Sequence, residues 1–264
     1  MYSKPKKSLG QNFLFDKNIQ RKICAACELE SSDIVLEIGA GRGELTRLIA
    51  EKVAKIYALE IDASLCRILK DNVNGYSNIE IINQDILRFN LRRYFKSGGI
   101  KVIGNIPYYI TTPIIERLLE FRDRIDIIFL TVQKEFAKRM TAKPGSKDYG
   151  SFSCFTKYYT EPKILFSIKR TSFFPSPKVD SSLLKLQIRP NSCLKPKEER
   201  LLFRIIRAAF NKRRKTLRNS LEGVLSEKKL EEFFNRYSID KNTRPEDLSL
   251  KDFVNLTNIF KKNY

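Results

Sequence analysis

Apolar and polar positions along residues 34–188 follow two alternating patterns. Short apolar runs predict buried strands, and the segments between them repeat apolar residues at helical spacing. The predicted strands are Ile34–Ile38, Lys55–Glu60, Ile79–Asn83, Lys101–Gly104, Asp126–Val132, Ile164–Ile168 and Ser182–Ile188. The predicted helices are Ile19–Leu29, Gly43–Lys52, Ala63–Asn72, Pro113–Arg122 and Gln133–Thr141. Because strands alternate with helices, we expect an α/β fold with a parallel sheet covered by helices.

The pattern changes after Arg189. From Glu198 onward apolar residues recur at helical spacing, and few segments have strand character. We therefore predict two domains, an α/β domain over residues 1–189 and a small all-helical domain over residues 190–264. The first domain opens with a basic segment, residues 1–18, that lacks a strong helical period.

The chain is strongly basic. It has 50 Lys and Arg residues against 30 Asp and Glu residues, which gives a net charge of +20. This excess does not determine a fold, but it favours a polyanionic partner such as nucleic acid. No acidic residue occurs between Arg200 and Leu221, and a solvated helix face is the alternative to phosphate binding there. The candidate RNA-binding residues in this predicted helical region are Arg207, Lys212, Arg213, Arg214, Lys215 and Arg218.

The chain contains no histidine and no tryptophan. Without histidine, Ser-His and Cys-His nucleophiles and histidine metal sites are excluded. Cys24 and Cys27 form a C-x-x-C, but no second pair completes a zinc site, and both fall in a predicted helix. We expect buried thiols there and no bound metal. No signal peptide or membrane-length apolar run occurs, so we expect a cytoplasmic protein. Because no obvious interface stripe appears in the sequence, we expect a monomer by default.

Asn105, Pro107 and Tyr108 follow directly after the predicted strand Lys101–Gly104. The amide oxygen of Asn105 and a nearby backbone carbonyl can accept both hydrogens of an exocyclic amine. Pro107 fixes its φ and has no N–H, so we expect the local carbonyls to point outward unpaired. Tyr108 offers a ring on which a base can stack. The group suits a planar base whose amine must become nucleophilic, and an ordinary Asn-Pro turn is the alternative.

The strand Ile34–Ile38 runs into a glycine-rich turn at residues 39–43 (GAGRG) and then into a predicted helix. Gly39 and Gly41 permit a tight turn and the close approach of a ligand to the backbone. Glu44 stands where the dinucleotide-binding spacing has its last glycine, which argues against an NAD-dependent reductase.

Two carboxylates end the next two predicted strands. Glu60 can accept hydrogen bonds from both hydroxyls of a ribose, and Asp85 can accept one from the amine of an adenine. Carboxyl ends of strands in a doubly wound sheet converge on one crevice, so we expect these acids and Asn105 to meet there. A helix cap or surface position is the alternative for each acid alone. Because no phosphate-binding lysine motif accompanies them, the predicted cofactor is S-adenosylmethionine.

In this order, the motifs make the chain resemble the ribosomal RNA adenine dimethyltransferases and their sister family, the erythromycin-resistance methylases. The resemblance extends over nearly the whole length. Its segments are Lys7–Leu14 (KSLGQNFL), the glycine-rich turn, Glu60–Asp62 (EID), Asp85, Asn105–Tyr108 (NIPY), Val132–Glu135 (VQKE) and Phe173–Ser181 (FFPSPKVDS). The implied fold is a Rossmann-like S-adenosylmethionine-dependent methyltransferase sheet with a helical C-terminal domain.

The resemblance also implies roles for single residues. Asn12, Leu14, Gly39, Glu60, Asp85 and Asn105 would line the cofactor site, with Gly41 in the same turn. Asn105, Pro107 and Tyr108 would handle the target amine, and Phe173 would pack against the flipped adenine. From the residues alone, a core aromatic is the preferred interpretation of Phe173.

The C-terminal region distinguishes the branches of the family. Residues 213–221 (RRKTLRNSL) and 244–253 (RPEDLSLKDF) resemble the small-subunit branch. That branch implies dimethylation of two adjacent adenosines near the 3′ end of small-subunit rRNA, on a precursor ribosomal subunit. The alternatives are a large-subunit rRNA methylase that confers macrolide resistance, and an assembly factor whose methylation is incidental.

Overall fold

The structure is a computed structural model that describes residues 4–189, 194–212 and 215–260. The chain divides into two compact units. The first comprises the chain up to residue 137 together with residues 161–188, and the second comprises residues 138–160 together with the chain from residue 189 onward. The division predicted from the sequence, 1–189 and 190–264, differs from this one in where it places residues 138–160.

A seven-stranded sheet forms the centre of the first unit. The strands of the structure are β1 Phe13–Leu14, β2 Ile34–Ile38, β3 Lys55–Glu60, β4 Ile79–Asn83, β5 Ile100–Asn105, β6 Ile125–Gln133, β7 Thr160–Ile168, β8 Phe173–Phe174 and β9 Ser181–Ile188. The strand order in this sheet is β4-β3-β2-β5-β6-β9-β7. The four neighbouring pairs from β4 to β6 are parallel, and β6 and β9 are antiparallel. All seven strands predicted from the sequence are confirmed, most of them with longer bounds.

Helices connect the parallel strands and cover the sheet. The α-helices before residue 142 are α1 Lys17–Ala26, α2 Glu44–Ala50, α3 Ala63–Asn72, α4 Leu91–Tyr94, α5 Thr111–Glu120 and α6 Lys134–Thr141. Val35, Ile103, Phe129 and Leu183 project from four strands into one core cluster, which also contains Ile23 of α1 and Ile49 of α2. The five helices predicted in this region are confirmed, whereas the short α4 was not predicted.

The direction in which the chain crosses the sheet reverses between β2 and β5. From β2 the chain proceeds outward through β3 and β4, and from β5 it proceeds the other way to β6. In open α/β sheets, ligands bind at such a switch point, beyond the carboxyl ends of the strands. The topology therefore predicts a ligand site beside Ile38 and Asn105, the last residues of β2 and β5.

A second, two-stranded sheet was not predicted. It pairs β1 and β8 in antiparallel fashion, with Phe13 opposite Phe174 and Leu14 opposite Phe173. Each strand has only two residues, so neither could give a period-two signal in the sequence. The pairing joins the N-terminal segment to the loop that precedes β9.

The second unit is helical. Its further α-helices are α7 Ser151–Tyr159, α8 Pro196–Asn211, α9 Leu217–Leu221, α10 Glu227–Tyr237 and α11 Leu250–Phe260. Helix α7 was not predicted, because it is rich in aromatic residues typical of strands. In the structure its aromatic rings pack on α8, with Phe155 and Phe203 centroids 5.3 Å apart. None of the helices in the described part of the chain has the length and apolar character needed to cross a membrane.

Candidate functional site

A cavity of about 760 Å³, counted to its open mouth, lies beyond the carboxyl ends of β2, β3, β4 and β5. Most of the residues that the sequence predicted for one site line this cavity together. They are Asn12, Gly39, Gly41, Glu60, Asp85, Asn105, Pro107 and Tyr108. The convergence follows from the parallel sheet, because each of these strands delivers its last residues to the same edge.

Leu14 and Phe173 lie elsewhere. Both belong to the core cluster, and the Phe173 side chain is 2% exposed while that of Leu14 is 8% exposed. The structure thus gives Phe173 the core position that its residue type alone favours. The roles that the family resemblance implies for these two residues stay predictions, and the neighbouring Phe174 is exposed.

Gly39 begins the turn after β2 and brings the backbone very close to β5. Its φ is +74°, in the left-handed region, and a Cβ at this position would lie 3.1 Å from the carbonyl oxygen of Asn105. Only glycine meets both conditions without strain. The two strand ends at the switch point can therefore approach each other, and this close approach shapes the floor of the cavity.

Glu60 is buried at the cavity wall, and backbone donors hold its carboxylate. Its two oxygens accept from the N–H groups of Gly41 and Asp62, each at 2.9 Å. Burial raises the pKa of the Glu60 carboxyl, while these hydrogen bonds oppose that shift. The fixed carboxylate keeps further lone pairs for hydroxyl donors of a ligand.

Asp85 follows β4 at the same cavity. One of its oxygens accepts from the N–H of Leu87 at 2.9 Å, so the side chain is held in a local turn. Its second oxygen keeps acceptor capacity toward a ligand amine. Glu60 and Asp85 therefore present carboxylates from neighbouring strands to one space, as the sequence predicted.

The Asn105 side chain has a defined orientation. Its Nδ2 donates to the carbonyl oxygen of Asn12 at 3.0 Å. With the amide nitrogen engaged there, Oδ1 is the group that remains to accept hydrogens from a ligand. This is the orientation that recognition of an exocyclic amine requires.

The turn after Asn105 differs from the sequence prediction in one respect. Pro107 has φ −61°, but its carbonyl oxygen does not point outward unpaired. It accepts from the N–H of Ile110 at 3.3 Å and from the hydroxyl of Thr111 at 3.4 Å, because a short 3₁₀ turn follows it. The carbonyl of Ile106 remains as the second candidate acceptor beside Asn105.

A hydrogen bond fixes the Tyr108 ring at the cavity. Its hydroxyl lies 2.5 Å from the hydroxyl of Ser181, the buried first residue of β9. Burial raises the pKa of Tyr108, and the bond to Ser181 opposes the shift. The phenol is therefore neutral near pH 7, and the ring presents a flat apolar surface.

An N-terminal strap, residues 6–13, covers part of the cavity. Lys6 Nζ lies 2.8 Å from Asp62 Oδ1, and the amide of Gln11 donates to Asp62 Oδ2 at 3.2 Å. Although burial raises it, hydrogen bonds from Lys6, Ser64 and Gln11 hold the pKa of Asp62 below its ordinary value. Gln11 and Asp62 lie in two of the predicted motifs and Lys6 lies just before the first, but no local pattern indicated that they pair.

The basic residues predicted to bind RNA have different surroundings. Arg207, Lys212 and Lys215 are exposed, and Arg213 and Arg214 lie outside the described residues. Arg218 pairs with Glu227 at 3.5 Å and also with Glu231. The acid-free stretch of the sequence from Arg200 to Leu221 contains Arg218, but α10 supplies acidic partners to it in the fold. Binding of RNA by these residues remains a prediction.

Cys24 and Cys27 occupy structural positions in the first unit. Cys24 and Cys27 are buried free thiols, and burial raises the pKa of both. Such thiols are poor nucleophiles and poor metal ligands. Within residues 4–189, 194–212 and 215–260, no group of three or more Cys, Asp or Glu residues could hold a metal ion.

Comparison with known proteins extends these observations. The family model described as ribosomal RNA adenine dimethylase matches residues 2–262. A protein named ribosomal RNA small subunit methyltransferase A from Alkaliphilus metalliredigens is 43% identical over 258 residues, which cover 95% of this chain and 90% of that one. The protein of the same name from Caldanaerobacter subterraneus is 42% identical over 260 residues, 97% of each chain.

Solved structures of related enzymes are similar to this chain over nearly its whole length. A dimethyladenosine transferase from Plasmodium falciparum superposes with a TM-score of 0.83 at 28% identity, covering 95% of this chain and 98% of that one. The 23S rRNA methyltransferase ErmE superposes with a TM-score of 0.77 at 26% identity, covering 95% and 100%. The two likenesses confirm the predicted Rossmann-like methyltransferase fold and the sister relationship between the branches. This chain belongs to the ribosomal RNA adenine dimethylase family.

Proposed function

We propose that this protein dimethylates the 6-amino groups of two adjacent adenosines near the 3′ end of small-subunit rRNA, with S-adenosylmethionine as the methyl donor. Family membership supports the reaction, and the names of relatives at 40% identity or more support the small subunit as substrate. The observation that best supports the proposed methyl transfer is the orientation of the Asn105 amide, whose Nδ2 donates to Asn12 and whose Oδ1 is available to accept from the target amine.

The cavity fits the cofactor. Glu60 and Asp85 offer carboxylate oxygens to a ribose and an adenine amine, and Ile38, Ile86 and Ile106 offer apolar walls. The absence of a Cβ at Gly39 leaves room where the ligand passes the backbone. When bound, S-adenosylmethionine supplies an electrophilic methyl group on a sulfonium. The site can hold this cation, because its charged lining residues, Glu60 and Asp85, are both acidic.

Asn105 makes the target amine nucleophilic. The lone pair of an adenine 6-amino group is delocalised into the ring, so the nitrogen is planar and a poor nucleophile. When Oδ1 of Asn105 and the carbonyl of Ile106 accept its two hydrogens, the nitrogen is drawn toward tetrahedral geometry. Its lone pair is then localised on the nitrogen and oriented toward the methyl group, and this positioning lowers the barrier to methyl transfer.

Tyr108 holds the plane of the base. The base has to leave its stack to enter the cavity, and contact with an aromatic ring returns about 1–3 kcal/mol. Because Ser181 fixes the hydroxyl of Tyr108, the ring does not have to be ordered when the base enters. Each transfer would leave the sulfur as a neutral thioether and release one proton from the methylated amine to water. The chain therefore needs acceptors and a stacking surface, and it requires no histidine base.

The proposed partner is a precursor small ribosomal subunit, which places the protein in the cytoplasm. The likeness to ErmE makes large-subunit rRNA the specific competing substrate. Methyl transfer from labelled S-adenosylmethionine should be followed to unmethylated small subunits, with deproteinised large-subunit rRNA alongside. We expect dimethyladenosine only in the small subunit. Label in the large-subunit rRNA would instead support the resistance function, and cofactor binding without any transfer would support a pure assembly factor.

A further inference from the structure

The small β1–β8 sheet has two chemically different faces. Cross-strand partners lie on the same face of a sheet, and neighbours along a strand lie on opposite faces. Leu14 and Phe173 are partners, and both are buried in the core. Phe13 and Phe174 are partners as well, so they share the face that is turned away from the core.

This second face continues beyond β1. The N–H of Phe15 donates to the carbonyl oxygen of Ser172 at 3.2 Å, which extends the ladder by one residue. Alternation then places Phe15 on the same face as Phe13. Phe13 lines the cofactor cavity, while Phe15 and Phe174 are 56% and 59% exposed. An aromatic face therefore begins at the cavity and continues onto the surface.

Two exposed phenylalanines on one small face require an explanation, since large aromatic side chains are normally buried. In contrast to Phe173 beside it, Phe174 contributes nothing to the core cluster. Phe15 likewise projects from the short link between β1 and α1, where a polar residue would be compatible with the fold. Their exposure points to a ligand that covers them.

The surroundings of the two rings are basic. Lys169 and Arg170 precede β8, Lys178 follows it, and Lys17 follows Phe15 by two positions. All four side chains are exposed, and no ion pair engages any of them among the described residues. A hydrogen bond from Ser176 Oγ to the Arg170 carbonyl oxygen at 3.0 Å closes the loop around Phe174.

The nearby acids are occupied by the fold. Asp16 caps α1 and also accepts from the Ser172 hydroxyl at 3.1 Å. Asp180 accepts from the N–H of Arg170 at 3.0 Å. These hydrogen bonds come from neutral donors and leave both carboxylates charged, but the four cations Lys17, Lys169, Arg170 and Lys178 outnumber them, so the charge around the two exposed aromatic rings is positive on balance.

We propose that Phe15 and Phe174 form a stacking platform for unpaired RNA bases beside the target adenosine, with Lys17, Lys169, Arg170 and Lys178 contacting the phosphates. Aromatic rings combined with cations are the general solution for binding single-stranded nucleic acid. The inference rests on the proposed function, because the aromatic face begins at the cavity where the target base is received. This platform is separate from the packing against the flipped adenine that the family resemblance implies for Phe173.

A kinetic test compares Phe15→Ala, Phe174→Ala and the double variant on unmethylated small subunits. Ile34→Ala is the matched control, because Ile34 is 37% exposed at the opposite end of the sheet, where β2 begins. We expect kcat/KM to fall roughly 5- to 140-fold for Phe174→Ala, with recovery in Phe174→Tyr and unchanged cofactor affinity. An unaltered kcat/KM in the double variant would overturn the proposal.

A direct test uses the absence of tryptophan from the chain. Phe174→Trp introduces a sole tryptophan on the platform, and Ile34→Trp introduces one at the control position. We expect a single-stranded oligoadenylate to quench the Phe174→Trp fluorescence, high salt to reverse the quenching, and the Ile34→Trp fluorescence to be unchanged. Quenching reports stacking without any methyl transfer, so this result is independent of whether the proposed reaction is right.

Two outcomes would contradict the platform. Equal responses of the two tryptophan variants to oligoadenylate would show that no base stacks at Phe174. If the Phe15→Ala/Phe174→Ala variant bound oligoadenylate like the wild type but lost binding to RNA-free small-subunit proteins, the surface would be a protein-docking site.

Discussion

The side-chain nitrogen of Asn105 and the backbone oxygen of Asn12 are hydrogen-bonded at 3.0 Å, although 93 residues separate them in the chain. This bond joins the end of β5 to the N-terminal strap. It determines which end of the Asn105 amide a ligand meets, and it makes the strap a part of the site. The contacts within this one unit lead to four predictions about single residues and one about the central claim.

Ser181 is expected to position Tyr108 through their 2.5 Å contact. Ser181→Ala should lower kcat about 2- to 12-fold, since one hydrogen bond contributes about 0.5–1.5 kcal/mol. Tyr108→Phe should have a similar effect, and the double variant should be little worse than either alone. Ser182→Ala is the control, because Ser182 is equally buried and its hydroxyl has no hydrogen-bond partner among the described residues. Additive losses of kcat in the double variant would argue against the coupling.

Glu37 is expected to make stability depend on pH. It is 2% exposed in β2, and burial raises the pKa of its carboxyl to about 7. Because the folded pKa exceeds the unfolded value, the stabilising contribution is complete at low pH and is lost as the pH rises through about 7. Compared with wild type, Glu37→Gln should therefore gain about 2–3 kcal/mol in unfolding free energy between about pH 5 and pH 8.

Denaturant unfolding at the two pH values measures this gain. Glu116→Gln, at an exposed position on α5, is the control, and its effect on the unfolding free energy should be the same at both. A difference between wild type and Glu37→Gln that does not change with pH would mean that the Glu37 carboxyl is not perturbed.

The strap is expected to strengthen cofactor binding. Lys6→Ala removes the ion pair to Asp62, and the cofactor dissociation constant should rise about two- to fivefold, as is typical for a half-exposed pair. Isothermal titration with S-adenosylmethionine measures this change. Lys7→Ala is the matched control, since Lys7 is exposed and makes no ion pair among the described residues. If Lys6→Ala and Lys7→Ala bound S-adenosylmethionine with equal affinity, the Lys6–Asp62 pair would not contribute to cofactor binding.

Gly39 is expected to be required for cofactor binding, because the backbone passes close to Asn105 at this position. Gly39→Ala forces an alanine into a left-handed conformation and against the Asn105 carbonyl, 3.1 Å away. Gly145→Ala separates the two effects, since Gly145 has φ +78° but no atom within 4 Å of the added Cβ. Both variants should lose about 1–2 kcal/mol of stability from the conformation, and only Gly39→Ala should lose cofactor binding. Retained cofactor affinity in Gly39→Ala would show that the close approach is not needed.

Much of the α/β unit could be predicted because its signals are local. Ile34–Ile38 and Lys55–Glu60 are short, mostly apolar segments, and the structure assigns both strands the predicted bounds. The site residues at strand ends could be predicted for the same reason, since a parallel sheet brings the ends of its strands to one edge. Glu60, Asp85 and Asn105 illustrate this, as all three line the cavity.

Features that depend on long-range pairing could not be predicted. The Lys6–Asp62 pair and the ladder of Phe13 with Phe174 join segments that are far apart and that carry no periodic pattern of their own. The orientation of Phe173 toward the core depends on that ladder, so the sequence could not distinguish Phe173 from Phe174. Likewise, the acids opposite Arg218 come from a different helix.

The measurement that tests the account most directly compares Asn105→Ala with wild type in single-turnover methyl transfer to unmethylated small subunits. RNA and cofactor affinities are measured in parallel. The account predicts that the methyl-transfer rate falls about 100-fold or more, as for the loss of one preorganised polar contact to the reacting group, while RNA affinity stays near the wild-type value. A loss of RNA affinity as large as the loss of rate would contradict it, because Asn105 would then bind the substrate without activating the amine.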